Sequence, residues 1–264
     1  MSFSVLTNQS FTPIDAFPWT VKLAESPEEY QGMYRLRYEV FALETKNERL
    51  LSEFGIERDR YDQWCEHLIV KDQISGRVVG TYRFLSGDRA VMNEGFYSES
   101  EFDFSRSNWD MQNILELGRS CVAADHRNGR VIQLLWEGIV RYMHDHSFDL
   151  LFGCASMEVP NLHDLNTIVS WLKQKGTIRS DYGIRPHATH RIHNITDVQV
   201  LQADRELFRM LPPLLKGYLS LGAFIAGEPA YDPVFDTVDF LIVMPRGAIN
   251  PRHLRRLFGA SSHN

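Results

Sequence analysis

The sequence predicts an α/β (α+β) fold in which helices flank one mixed central sheet. The 264-residue chain is 44% hydrophobic and 12% aromatic, which is enough to bury a large core. Short apolar segments alternate along the chain with longer segments whose apolar residues recur at helical spacing. No internal repeat, low-complexity tract or glycine/serine linker divides the sequence, so we expect a single domain over residues 1–264.

The first predicted helix has a strong start signal. Residues 1–19 precede it as an extended segment. Ser26 is the expected N-cap, Pro27 the first helical residue, and Glu29 the acidic member of a capping box. The helix should continue to about Glu44, because apolar and aromatic residues follow one stripe of it.

A β-hairpin follows the first helix. A polar, charged stretch over 45–62 separates the two. The segments 67–70 and 78–84 are rich in valine, isoleucine and aromatic residues, and the turn residues Ser75 and Gly76 lie between them. This composition is typical of two paired strands.

The second half of the chain alternates helices and strands. We expect loops with a short helix over 86–112, a strand over 114–122, an amphipathic helix over 131–146, a buried strand over 150–156, a helix over 161–175, an irregular polar segment over 176–200, a helix over 206–221, and strands over 222–225 and 237–244. The last helix and strands form a C-terminal extension of the sheet.

Composition excludes several classes of protein. A formal charge of −6 argues against a nucleic-acid partner. Three scattered cysteines indicate neither a disulfide framework nor a zinc site. The N-terminus has no basic stretch followed by an apolar one, and no apolar run is long enough to span a membrane. We therefore expect a cytoplasmic protein.

The C-terminal segment is basic. Four arginines and no carboxylate follow Asp239, and Leu254, Leu257 and Phe258 interleave with three of those arginines at helical spacing. One interpretation is peripheral contact with an anionic membrane surface, or with an acidic protein. The other is a helix that packs its apolar stripe on its own domain.

Candidate functional residues are densest on the predicted strand 114–122. Glu116 and Arg119 would face opposite sides of a regular strand, so they can pair only if a bulge intervenes, and Gly118 could supply one. The alternative interpretation is a strand-end ion pair. The basic, glycine-containing loop 125–130 then opens a helix, where backbone N–H groups can bind a phosphate. Ordinary helix capping explains the same loop.

This region resembles the acyl-donor loop of the GNAT N-acyltransferase superfamily. The resemblance rests on Val122 and Arg127, which follow a strand and precede a helix and the segment Phe152-Gly153-Cys154. Arg130 and Ile132 stand where the usual pattern has glycines, as in relatives that take long acyl chains from acyl carrier protein. The resemblance implies a GNAT-like sheet whose splayed strands form the acyl-donor cleft.

Further motifs resemble those of the acyl-homoserine-lactone synthases. Arg37 and Phe41 match their helical Arg-x3-Phe, Asp59 and Asp62 their paired acids, Arg83 their strand arginine, and Glu116 with Arg119 their Glu-x-x-Arg. Asn47 stands about where those synthases keep a tryptophan, which points away from S-adenosylmethionine as substrate.

Nearly the whole chain is similar to the L-ornithine Nα-acyltransferases of ornithine-lipid synthesis, which are also labelled hemolysins. The segments that carry this similarity are ELGRSCV, VIQLLWEGI, FGCASM, LPPLLKGYLSLGAFIAGEPAYDP and DFLIV. The similarity implies transfer of a long (3-hydroxy)acyl chain from acyl carrier protein to the α-amine of L-ornithine, giving lyso-ornithine lipid. Glycine-lipid acyltransferases share much of the pattern, so glycine or another amino acid stays an alternative acceptor.

The resemblance also assigns roles. Catalysis falls to Glu116 as base and Arg119. Substrate binding falls to Arg37, Phe41, Asp59, Asp62 and Arg83, and donor or carrier binding to Val122, Arg127 and Arg130. The alternative for these arginines and acids is a structural ion-pair network in the N-terminal part of the chain. The donor is the phosphopantetheine thioester of acyl carrier protein, with no permanently bound cofactor and no metal. Cys121 and Cys154 are interpreted as small buried residues, because the reaction needs no covalent nucleophile.

Two other functions stay open at this point. A short-chain acetyltransferase that uses coenzyme A is disfavoured by the two missing glycines. A non-catalytic lipid-binding or membrane-acting protein, from a different functional class, would show no transferase activity.

Overall fold

The computed structural model of the protein describes residues 11–158 and 161–248. The strands are β1 (Ile14–Ala16), β2 (Trp19–Leu23), β3 (Glu66–Asp72), β4 (Val78–Ser86), β5 (Phe102–Asp103), β6 (Ile114–Val122), β7 (Leu150–Met157), β8 (Ile178–Arg179), β9 (Arg185–Pro186), β10 (Phe224–Ala226), β11 (Ala230–Asp232) and β12 (Thr237–Pro245). The α-helices are α1 (Pro27–Tyr38), α2 (Gly87–Met92), α3 (Arg130–Asp145), α4 (Leu162–Gln174), α5 (Asp204–Met210) and α6 (Pro213–Ser220). The mixed α/β class with helices around a mixed sheet is confirmed.

The described residues form two compact units. The first consists of the described residues within Met1–Phe84 and Arg119–Phe148, and the second of those within Leu85–Gly118 and Asp149–Asn264. Strand β6 contributes residues to both units. The expectation of a single domain stays a prediction.

An antiparallel sheet forms the core of the first unit. Strands β1 to β4 pair in sequence order, with Val21 opposite Val70 and Val70 opposite Gly80. Helix α3 packs on this sheet through fully buried apolar side chains. It lies so close that a β-carbon on Gly138 would stand 2.8 Å from Leu68. The missing side chain at this position therefore allows the helix to approach the sheet.

Helix α1 begins as predicted. The Ser26 side chain accepts from the Glu29 N–H, and the Glu29 carboxylate accepts in return from the Ser26 N–H. These bonds satisfy backbone donors at the helix start. Beyond Tyr38 the chain continues as a π-helical segment, Glu39–Glu44, so the predicted end at about Glu44 is confirmed with a wider final turn.

The second unit contains a mixed sheet in the order β6-β7-β12-β10-β8. β6 and β7 are parallel, whereas β7 and β12 are antiparallel over eight pairs from Leu150↔Pro245 to Met157↔Val238. β11 adds to β12, and the short strands β5 and β9 pair separately. The C-terminal helix–strand extension is thus part of this sheet.

Several elements differ from the sequence-based prediction. β1 and β2 lie partly in the segment expected to be merely extended, and β11 lies in the segment expected to be a turn. The single helix expected over 206–221 is two helices, because Pro212 cannot continue the first one. The basic apolar segment 254–258 lies outside the described residues. Within 11–158 and 161–248, no helix is long and apolar enough to cross a membrane.

Candidate active site

A network of buried charges occupies the first unit, and Arg37 of α1 is at its centre. The Arg37 side chain has no exposed surface. Its Nε atom donates to the Glu57 carboxylate. Its two Nη atoms donate to the two oxygens of Asp62, at 2.6 and 3.1 Å. This bidentate geometry is the strongest form of arginine–carboxylate pair.

Arg83 and Arg119 complete the network around Asp59. Arg83 of β4 donates to both Asp59 oxygens at 2.7 Å and to Asp62 at 3.3 Å. Arg119 donates to Asp59 at 2.6 Å and to Glu57 at 3.3 Å. The network therefore contains three guanidinium groups and three carboxylates.

Electrostatics keep these charges in place. Burial alone would raise the pKa of Asp62, but Arg37 and Arg83 outweigh it and hold that pKa well below its usual value. Burial lowers the pKa of the neighbouring His67 to about 4, so this imidazole is neutral at pH 7. The network is thus balanced in formal charge, which suits a buried site.

The structure brings together most of the acceptor-binding residues expected from sequence: Arg37, Asp59, Asp62 and Arg83, with Arg119 beside them. Their mutual pairing corresponds to the structural ion-pair network that the same residue types also allow. The side chains of Asp59 and Arg119 are 21% and 10% exposed, whereas the other members are at most 5% exposed. Asp59 and Arg119 are therefore the members most accessible to a ligand.

Three further residues of the first unit are relevant to this site. Phe41 lies half-buried on the π-helical segment, and its carbonyl accepts a hydrogen bond from Thr45. Glu57 and His67 also belong to the network, although no sequence motif predicts them. A lone glutamate in a polar loop and a histidine at a strand start carry no pattern that distinguishes them from surface residues.

Glu116 lies in the second unit, on β6, and is only 4% exposed. The turn Tyr97–Ser100 provides its donors. The Tyr97 N–H is 2.8 Å from Oε2, and the N–H and Oγ of Ser98 are 2.7 and 2.6 Å from Oε1. Three donors on one carboxylate favour its charged form.

More acidic groups lie near Glu116. The side-chain ligand atoms of Glu101, Cys154 and Asp239 all lie within 4.8 Å of one another. Burial, and next the Glu101 carboxylate, raise the pKa of the Cys154 thiol well above its usual value. Ser98 Oγ is 3.4 Å from Cys154 Sγ, which connects this group to Glu116. The surroundings of Glu116 thus favour a positively charged ligand.

The pairing of β6 with β7 reaches Glu116, and the β6 backbone becomes irregular shortly after this residue. The parallel pairing joins Ile114–Glu116 to Leu150–Phe152, while both strands continue further along the chain. Gly153 lies so close to β6 that a β-carbon there would stand 2.1 Å from the Leu117 carbonyl oxygen. Arg119 has φ +49°, so the left-handed residue falls one position after the glycine that was expected to form the bulge.

The predicted acyl-donor loop lies in the first unit, between β6 and α3. Arg127 Nε donates to the Val122 carbonyl at 2.9 Å, and Nη2 donates to Glu44 at 2.8 Å. Gly129, with φ +94°, is the N-cap of the sixteen-residue helix α3 and has no side chain to cap it. Arg130 begins that helix. Backbone N–H groups of its first turn are the kind that bind phosphate.

The thiols are not suited to nucleophilic catalysis. Burial raises the pKa of Cys121 to about 12, and the pKa of Cys154 is also raised. Both thiols are protonated at neutral pH, and the thiolate is the nucleophilic form. This chemistry agrees with direct transfer between two bound substrates.

His187 has a structural role in the segment 187–193. The His187 N–H donates to the Glu101 carbonyl at 2.8 Å, and its Nε2 lies 3.0 Å from the Glu99 carbonyl. Because a carbonyl oxygen can only accept, Nε2 carries the hydrogen. His187 therefore fastens this segment to the end of the turn that binds Glu116.

Comparison with known proteins assigns the fold to one class. Residues 36–137 match the family described as acetyltransferase (GNAT) domain. The fold is also that of solved acyl-homoserine lactone synthases. BjaI, a CoA-dependent synthase solved with SAM and isopentyl-CoA, has a TM-score of 0.51 at 16% identity, over 88% of this chain and 81% of its own. LasI has a TM-score of 0.51 at 13% identity, over 93% of this chain and 98% of its own. The fold is therefore the GNAT-like acyltransferase fold.

Curated relatives define the family more narrowly. The L-ornithine N(alpha)-acyltransferase of Brucella abortus is 35% identical over 256 residues, which cover 92% of this chain and 89% of the relative. The enzyme of the same name from Rhizobium meliloti is 36% identical over 255 residues, covering 91% of this chain and 84% of its own. The chain belongs to the L-ornithine N(alpha)-acyltransferase family.

Proposed function

We propose that the protein transfers a long (3-hydroxy)acyl chain from the thioester of acyl carrier protein to the α-amine of L-ornithine, giving lyso-ornithine lipid. The main support for L-ornithine as the acceptor is the similarity of this chain to four enzymes named L-ornithine N(alpha)-acyltransferase, at 33–36% identity over 88–92% of this chain. The carrier as donor is supported by Arg130 and Ile132, which replace the glycines that a coenzyme A pyrophosphate loop normally contains.

The reaction needs a deprotonated amine, and Glu116 is the proposed base. The carboxylate accepts a proton from the α-ammonium, directly or through one water. The amine nitrogen then attacks the thioester carbonyl carbon, the carbon–sulfur bond breaks, and the pantetheine thiol leaves with a proton. The negative surroundings of Glu116 support this assignment, because they attract the ammonium form of the acceptor.

Backbone donors are the proposed stabilisers of the tetrahedral oxyanion. The left-handed backbone at Arg119 interrupts the regular strand geometry of β6 just after its pairing with β7. Such an interruption turns a backbone N–H away from the strand ladder. This feature supports an oxyanion-binding role for the β6 backbone.

We assign acceptor binding to Asp59 and Arg119, the two most exposed members of the ion-pair network in the first unit. Arg119 can hold the acceptor carboxylate through its planar guanidinium, and Asp59 can receive the side-chain ammonium. Arg37, Asp62 and Arg83 hold these two residues in position. Phe41 keeps its proposed role in substrate binding.

Donor binding is assigned to the loop between β6 and α3. The start of α3 and Arg127 are proposed to bind the phosphate of the pantetheine arm, next to Val122. Arg127 and Arg130 are 45% and 31% exposed, so they can also face the acidic carrier protein. Reversing both to glutamate should weaken transfer from the carrier-bound donor, more strongly at low salt. The matched reversal of the exposed Arg205 and Arg209 should not.

The test of the function is product formation by the purified protein. Acyl carrier protein loaded with a 3-hydroxyacyl chain is mixed with L-ornithine, glycine or lysine, and products are identified by mass spectrometry. We expect an N-acyl product with ornithine, and a slower reaction when acyl-CoA replaces the carrier. Absence of any N-acylated amino acid, while the Brucella abortus relative is active in the same assay, would refute the proposal.

The base is tested by Glu116→Gln, with the exposed Glu53→Gln as the matched control. Removal of a general base typically costs 10²–10⁴-fold, so we expect a loss of about that size for the first variant only. Equal turnover by both variants would show that Glu116 does not take the proton.

A further inference from the structure

Ser98 is a fully buried residue of the turn Tyr97–Ser100 that nothing in the sequence pattern singles out. Its hydroxyl and its N–H both point at one oxygen of Glu116, at 2.6 and 2.7 Å. The second oxygen receives the Tyr97 N–H. Two consecutive residues of one turn thus hold both oxygens of a carboxylate eighteen residues away in the chain.

We propose that Ser98 is a positioning residue, which fixes the orientation of the Glu116 carboxylate and sets how readily it takes a proton. This inference rests on the proposed role of Glu116 as the base. The bond from a hydroxyl to an ionised carboxylate is of the charge-assisted class, which is shorter and stronger than a bond between neutral groups. Its loss would therefore change both the geometry and the proton affinity of Glu116.

The bond to Glu116 defines which way the Ser98 hydroxyl points. A serine hydroxyl has one hydrogen, and here it is directed at Glu116. The thiol of Cys154 lies 3.4 Å from the serine oxygen, but its own hydrogen is directed at the Glu101 carboxylate, 3.9 Å away. The raised pKa of Cys154 keeps that hydrogen on sulfur. The serine hydrogen therefore stays committed to Glu116.

The other ionisable groups around Glu116 are mostly acidic. Among the described residues, Glu99 and Cys154 interact with the charge of Glu116. Glu101 and Asp239 lie next to Cys154, and His187 lies next to Glu99. Burial, followed by the charge of Glu116, raises the pKa of Glu99. The hydrogen-bond donors stabilise the charge of Glu116 against the repulsion from these acidic neighbours. Loss of the Ser98 hydroxyl should therefore raise the proton affinity of the Glu116 carboxylate.

The test compares the pH dependence of kcat/KM for wild type and Ser98→Ala. Loss of the charge-assisted bond should move the acidic limb of the profile upward by about one pH unit, equivalent to a tenfold change in proton affinity. The plateau kcat should also fall, because the carboxylate is less well oriented. Ser100→Ala is the matched control. Ser100 lies on the same turn, but its Oγ donates to the Tyr97 carbonyl at 2.6 Å rather than to Glu116.

The possible results distinguish the role of Ser98 from the proposed function of the protein. An active wild type whose acidic limb is unchanged in Ser98→Ala would overturn the role of Ser98 alone. A wild type that acylates no amino acid would overturn the proposed function, and the role of Ser98 with it. If Ser98→Ala does not fold, Ser98→Cys provides a weaker donor of similar size, and its limb should move in the same direction by less. Ser98→Thr keeps the hydroxyl and should restore the wild-type limb.

Discussion

Replacing Arg37 by methionine should strongly destabilise the protein. Methionine keeps most of the volume of the arginine stem, so the main effect is the loss of the guanidinium. Its partners Glu57 and Asp62 would be left as buried charges, with side chains that are 5% and 0% exposed. Removal of one partner from a buried ion pair typically costs about 3–5 kcal/mol. Because Asp62 keeps a contact with Arg83 at 3.3 Å, we expect the lower end, about 3 kcal/mol.

The matched control is Arg127→Met. Arg127 pairs with Glu44 at 2.8 Å, but the two side chains are 45% and 36% exposed. An ion pair in contact with water contributes about 0–1 kcal/mol, because solvent screens it. The same substitution at these two sites therefore isolates burial as the variable.

Urea unfolding measures the difference. With an m value of about 3 kcal/mol per molar, a loss of about 3 kcal/mol lowers the midpoint by about 1 M for Arg37→Met, whereas Arg127→Met should stay near wild type. Circular dichroism and tryptophan fluorescence should follow the same transition if unfolding is cooperative. Similar midpoints for the two variants would refute the reasoning, because they would show that the buried network contributes no more than a surface pair.

Three other predictions concern pH, packing and thiol reactivity. The unfolded chain takes a proton at His67 near its ordinary pKa of 6.5, whereas the folded protein does so only near a pKa of 4. The stability present above pH 6.5 should therefore fall by up to about 3 kcal/mol as the pH drops towards 4. His67→Gln should flatten this part of the stability curve, and an unchanged slope in urea unfolding at several pH values would contradict the prediction. Gly153→Ala should destabilise the protein by about 1–3 kcal/mol, because the new β-carbon would meet a backbone carbonyl. Gly217→Ala, at a position of α6 where the β-carbon meets open space, should stabilise it by about 0.5–1 kcal/mol. Melting temperatures that shift equally in the two variants would count against this packing. Iodoacetamide at pH 7.5 should leave Cys121 and Cys154 unmodified in the native protein and label both after denaturation, and rapid native labelling detected by mass spectrometry would show that they are accessible thiolates.

Local signals predicted the regular elements well. The capping box at Ser26 fixed the start of α1, and alternation of side chains fixed β6 at Ile114–Val122. Both signals depend on residues within a few positions of each other, and the sequence displays such neighbours directly. Short strands such as β1 were missed because three residues are too few to show a period.

The candidate site was predictable only in part. Similarity to known enzymes identified Arg37, Asp62 and Arg83, and the structure brings them together. It did not identify Glu57 or Ser98, because each meets its partner through the fold and not through spacing along the chain. Ser98 and Glu116 are eighteen positions apart, in a turn and a strand that the tertiary structure brings together.

The attachment of His187 has a consequence for how substrate preference can change. Two hydrogen bonds and the β5–β9 pairing connect the segment around His187 to the turn that holds Glu116. Residues 188, 189 and 191 are exposed, so substitutions there disturb little of the hydrophobic core. If Glu116 is the base, laboratory evolution directed at this outer segment can alter the surroundings of that base with little loss of stability, which makes the segment a good target for obtaining variants that acylate other amino acids.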